Sequence, residues 1–145
     1  MSLKYLLDTS VVSSPISRIP NAGVLRLLHE VGRACAIGAP VWHELIYGCE
    51  RLPRGGRRRQ ALQQYLAEVV RVSFPILPYD ERAAAWHGRE RARLDAQGKT
   101  APWVDGQIAS IAATNGLVLV TRNRRDFANF LDLTVEDWEG SASEV

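Results

Sequence analysis

The stretch "LKYLLDTSVVS", residues 3 to 13, sets the problem. Leu3, Tyr5, Leu6 and Leu7 make a short apolar run that reads as a buried strand, yet the run ends on Asp8, followed by the hydroxyls of Thr9 and Ser10. Asp, Thr and Ser are all favoured helix N-caps, so a strand-to-helix turn explains the local pattern. It does not explain why a core strand should deliver a carboxylate. Open α/β sheets place their ligand sites at the carboxyl ends of central strands, which makes Asp8 a candidate site residue if other acids converge on it.

The rest of the chain supplies the sheet that such a strand needs. Asn21 to Glu30 carries Val24, Leu27 and Leu28 at helical spacing, "ACAIG" at residues 34 to 38 reads as a second buried strand, and Pro40 suits the first turn of a helix through Glu50. A helix is expected from Gln60 to Val72, a short strand at Ile76 and Leu77, and a long helix from an Asp80 cap to about Gln97. "GKTAP" breaks that helix, a further one runs from Trp103 to Asn115, and a turn at Gly116 leads into the strand "LVLVT". Strands alternating with helices in this way predict a parallel sheet covered by helices.

At 145 residues the chain is expected to form one domain, with the tail from about residue 139 flexible. With 46% hydrophobic and 23% charged residues, the composition is that of a globular protein. Cys35 and Cys49 have no metal-like spacing and suit a reducing compartment. The first residues lack a basic region leading into a long apolar stretch, and no run of about 18 apolar residues occurs, so the cytoplasm is the expected location and no membrane is expected. The net charge of +2 identifies no partner, but Arg51, Arg54, Arg57, Arg58 and Arg59 crowd into nine residues. They form either a solvated face or a phosphate-binding surface.

Three catalytic patterns fail on spacing or context. "HELIY" at residues 43 to 47 lacks the second histidine that a zinc pair on one helix face requires, since Tyr47 holds that place. "GKT" at residues 98 to 100 would need a glycine where Arg93 stands to cradle phosphates. No GxSxG elbow accompanies His29, His43 or His87. Trp42, Trp86, Trp103 and Trp138 read as core or partner contacts, because no basic residues interleave with them as in a base-stacking platform.

The acids form a different pattern. Asp105, Ile108, Ala109 and Ala112 share one face of a helix that is otherwise apolar, so the Asp105 carboxylate is expected to point inward. Glu44 shares a stripe with Val41, Leu45 and Gly48, which predicts the same for it. An ionised carboxylate near a core needs a cation, a hydrogen-bond network or a raised pKa. A structural salt bridge could serve any one of these acids alone. Three together, without cysteine or paired histidine, favour a hard divalent ion, Mg2+ or Mn2+, over zinc.

"LLDTS", "VWHELIYG" and "DGQIASIAATNGLVLVTRNRRDF", in this order over nearly the whole chain, resemble the PIN-domain ribonucleases, specifically the VapC/FitB-like toxins of type II toxin–antitoxin pairs. The resemblance implies an α/β sandwich of helices around a parallel sheet of four or five strands, with an acidic pocket for one or two Mg2+ ions. Asp8, Glu44 and Asp105 match the family's first three acids and take the catalytic and metal-binding roles. Asn123 stands where the fourth acid usually follows "TR", and Asp126, three residues on, is a candidate substitute.

The implied activity is an Mg2+-dependent endoribonuclease that cuts single-stranded or looped RNA by metal-activated water, leaving a 3′-hydroxyl and a 5′-phosphate. A homodimer neutralised by a small antitoxin is implied as well, and Arg54, Arg57, Arg58 and Arg59 are the candidate contacts to the RNA backbone. The rival expectation, favoured by Asn123, is a non-hydrolytic nucleic-acid-binding partner acting with an antitoxin as a transcriptional co-repressor. A phosphoacceptor receiver domain is disfavoured because "LVLVTRN" lacks the late-strand lysine.

Overall fold

A computed structural model describes residues 2 to 140. Strand β1 (Tyr5–Leu7) leads directly into α1 (Thr9–Val12). Then follow α2 (Ala22–Val31), β2 (Cys35–Gly38) and α3 (Ala39–Glu50). One long helical segment comprises α4 (Arg57–Tyr65), a π-helical stretch (Leu66–Val70) and α5 (Arg71–Ser73). Strand β3 (Ile76–Leu77), α6 (Glu81–Ala96), α7 (Trp103–Thr114), β4 (Val118–Val120), α8 (Arg124–Phe127) and β5 (Val135–Glu136) complete the order.

The five strands form one sheet in the order β3-β2-β1-β4-β5, with every pairing parallel. This is the expected α/β sandwich. Strand β1 lies at its centre, pairing Tyr5 with Cys35 on one side and Tyr5, Leu6 and Leu7 with Val118, Leu119 and Val120 on the other. A central parallel strand has helices on both faces and must be apolar on both, which is why Leu6 and Leu7 are fully buried and no alternation shows in the sequence.

The helix caps follow the sequence closely. Asn21 accepts from the N–H of Val24 at 3.0 Å and Asp80 from that of Ala83 at 3.0 Å, while Gly116 takes the left-handed turn into β4 at φ 66°. Two features differ from expectation. The helix expected from Gln60 already starts at Arg57, so three arginines of the cluster occupy its first turn. The edge strand β5 has no counterpart in the expected elements, because a two-residue strand in "DLTVEDW" carries no periodicity.

Cys35 and Cys49 are buried free thiols, and burial pushes the Cys35 thiol up to about 12. No helix among the described residues is long and apolar enough to cross a membrane. Of the tail expected to be flexible, Glu139 reaches Arg122 at 3.9 Å, and everything after Gly140 lies outside the described residues.

Candidate active site

Parallel strands bring their carboxyl ends to one edge, and Asp8 stands there at the end of the central strand. Its backbone N–H donates to the Val120 carbonyl at 2.9 Å, which extends the β1–β4 ladder by one bond. Each carboxylate oxygen has a separate donor. Oδ1 accepts from the Thr9 N–H at 2.8 Å and caps α1, while Oδ2 accepts from the Thr121 hydroxyl at 2.7 Å. Thr121, fully buried just past β4, in turn accepts from the Asn123 N–H at 3.0 Å. Capping α1 therefore leaves Asp8 compatible with the expected site role, and the pair of bonds fixes its plane.

Asp105 arrives from the first turn of α7, whose inward face buries Ile108, Ala109 and Ala112. As expected from that face, the carboxylate is half-buried. Burial raises its pKa first, and the charges of Asp126, Asp8 and Glu44 add to the effect, bringing it to about 6. Four acids from four separate elements thus share one electrostatic field. No salt bridge among the described residues reaches any of the four.

Glu44 departs from expectation in one respect. Although Val41 and Leu45 on either side are buried, Glu44 is exposed. It lines an opening with Pro40, His43, Tyr79 and Val104. Asp126, three residues into the short α8, is exposed, and its N–H donates to the Asn123 carbonyl at 3.0 Å. Asn123 is exposed at the N-terminus of α8, with no capping bond from its side chain.

The oxygen-only donor set fits a hard divalent cation. Among the described residues no three histidine, cysteine, aspartate or glutamate side chains converge tightly enough to enclose an ion in this conformation. Ser10, two residues beyond Asp8, adds a buried hydroxyl oxygen with no hydrogen-bond partner among the described residues, an unspent polar group at the same edge of the sheet.

The arginine cluster divides. Arg59 donates to the carbonyls of Glu50 and Leu52, each at 3.0 Å, and pairs with the Glu50 carboxylate. It clamps the α3–α4 loop. Arg54, Arg57 and Arg58 are exposed. Trp103 has a basic neighbour 12 residues away in sequence, the Arg91 guanidinium, which lies 4.4 Å from its ring centroid.

Comparison with known proteins agrees with this architecture. The chain is 34% identical over 136 residues to the ribonuclease VapC2 of Haemophilus influenzae, covering 94% of this chain and 98% of that protein. It is 32% identical over 136 residues to the tRNA(fMet)-specific endonuclease VapC of Shigella flexneri, with the same coverage. Among solved structures, a FitAB complex bound to a DNA fragment matches with a TM-score of 0.83 at 28% identity, covering 92% of this chain and 94% of that one. The family model for the PIN domain matches residues 5–131, and the chain belongs to that family.

Proposed function

We propose that the protein is a divalent-metal-dependent endoribonuclease of the VapC/FitB type, held inactive by an antitoxin. The observation that carries this reading is the common field of Asp8, Glu44, Asp105 and Asp126 at the carboxyl edge of the sheet, with Asp105 pushed up to about 6 by burial and by the other three. Ionising the half-buried Asp105 beside three other acids is costly unless a cation offsets it. A bound Mg2+ or Mn2+ supplies Lewis-acid chemistry: it neutralises charge on the scissile phosphate and makes water a competent nucleophile near neutral pH.

Asp8 and Asp105 would hold the ion, Asp8 in the plane set by Thr9 and Thr121, and Asp105 at the half-buried start of α7. Glu44, exposed across the opening, is placed to orient the attacking water or complete the ligand set. Asp126 is the better candidate for the fourth acid, because among the neighbouring acids its charge raises the Asp105 pKa most. Asn123 offers a carbonyl oxygen without a charge.

The relatives' names support RNA as substrate, and single-stranded or looped regions are where a protein can reach unpaired bases. A groove of about 870 Å3 between α2 and the α4–α5 segment, lined by Leu25, Leu28, Tyr65, Val69, Val72 and Phe74, supports docking of an antitoxin segment. Exposed Ile46 and Tyr47 on α3, with Trp103 and Val104 on neighbouring α7, supply apolar surface for a second copy. The DNA-bound FitAB complex supports a further role on DNA together with the antitoxin.

Incubating purified, antitoxin-free protein with total RNA, in Mg2+ and in EDTA, tests the proposal. Cleavage in Mg2+ to ends bearing 5′-phosphate and 3′-hydroxyl is expected. Cleavage undiminished in EDTA would overturn it.

A further inference from the structure

His87 lies on α6, the helix packed most extensively against α7, and it is 5% exposed. Its imidazole rests directly on Gly106, the residue after Asp105. A methyl group at position 106 would stand 2.1 Å from Nε2 and 2.5 Å from Cδ2, far inside any van der Waals contact. Glycine inside a helix costs about 1 kcal/mol relative to alanine, so this position gives up helix stability and gains room for a ring.

The ring is held from three directions. The Tyr79 hydroxyl pairs with Nδ1 at 2.9 Å, and Trp103, at the start of α7, meets the imidazole edge-on at 5.2 Å. Arg91 covers Trp103 in turn, and burial together with the Arg91 charge lowers the His87 pKa, which favours the neutral ring. Tyr79 also lines the opening beside Glu44. His87 therefore joins the neighbourhood of one acid to the backbone that carries another, yet sits outside the acid cluster.

We propose that His87 is a positioning residue for Asp105: its imidazole fills the notch left by Gly106 and locks the first turn of α7, setting where the Asp105 carboxylate stands. This rests on the reading of the acids as a metal site. Residues that orient metal ligands from behind typically cost 10–100-fold in affinity when removed. A ring wedged against the ligand's own helix turn acts by the same logic, through backbone placement in place of a hydrogen bond.

The test is Mn2+ binding to the full chain without RNA, read from the electron paramagnetic resonance signal of free Mn2+, alongside thermal melting. His87→Ala is expected to weaken Mn2+ binding by about tenfold, whereas His87→Phe, which keeps a ring in the notch, stays closer to native affinity. Gly106→Ala, whose methyl displaces the imidazole, is expected to weaken binding as well, and it decides the matter if His87→Ala does not fold. Native Mn2+ affinity in His87→Ala or in Gly106→Ala overturns the proposal, even if melting is lowered. Equal losses in His87→Ala and His87→Phe also overturn it, because the ring would then not be the positioning element. Asp105→Asn separates the two levels: if it too binds Mn2+ with native affinity, the reading of the acids as a metal site fails, and not merely the role of His87.

Discussion

The Thr121 hydroxyl donates to Asp8 Oδ2 at 2.7 Å, joining the ends of adjacent strands whose residues stand 113 positions apart in sequence. Because Thr121 also accepts from the Asn123 N–H, one buried oxygen couples the first acid to the loop that leads to Asp126. Thr121→Val, which keeps the shape and deletes the hydroxyl, strands both partners. It is expected to lower unfolding stability by about 1–3 kcal/mol in urea titration and to reduce cleavage, since Asp8 loses one of its two fixing bonds.

The raised pKa of Asp105 makes stability depend on pH with a definite sign. Between the ordinary value of 3.8 and about 6, the folded protein keeps a proton that the unfolded chain has released. Unfolding stability in EDTA should therefore fall as pH rises through that window, and the benefit of the neutral acid is fully present only below it. Asp105→Asn should remove this slope. Calorimetric melting of both proteins across the window checks the difference, and divalent metal should diminish it in the native protein by favouring the ionised acid.

The charge of Asp126 raises the pKa of Asp105. Asp126→Asn should raise the Mg2+ concentration needed for half-maximal cleavage, while the melting temperature in EDTA stays level or rises as repulsion of Asp105 is relieved. A lower melting temperature with unaltered metal requirement would make it a structural residue.

Arg59 and its neighbours should separate cleanly. Arg59→Ala is expected to destabilise the α3–α4 loop, since two carbonyls and the Glu50 carboxylate lose their donor. Replacing Arg54, Arg57 and Arg58 together with alanine should leave melting near native but flatten the salt dependence of RNA binding, by about 0.7 in log–log slope for each phosphate no longer neutralised. Filter binding across a salt series measures this.

What the sequence disclosed follows from where the signals lie. Leu6, Leu7 and Asp8 are contiguous, so a strand ending on an acid could be read directly, and the Asp105 face repeats at helical spacing. The stripe of Glu44 with Val41 and Leu45 implies burial, yet only tertiary packing decides which flank of α3 is covered, and Glu44 is exposed. His87 left no mark in its own segment, a lone histidine in an arginine-rich helix. The available signal was Gly106, a glycine inside a helix beside an acid, where a close approach is one of the few physical reasons for it.

Whether Asp8 and Asp105 hold the metal on which cleavage depends is decided by the single-turnover cleavage rates of Asp8→Asn and Asp105→Asn at saturating Mg2+, with native melting confirming that each is folded. Both variants should lose most of the activity, because each substitution removes a ligand charge without changing the side chain's shape. A native cleavage rate in either folded variant would remove that carboxylate from the metal site.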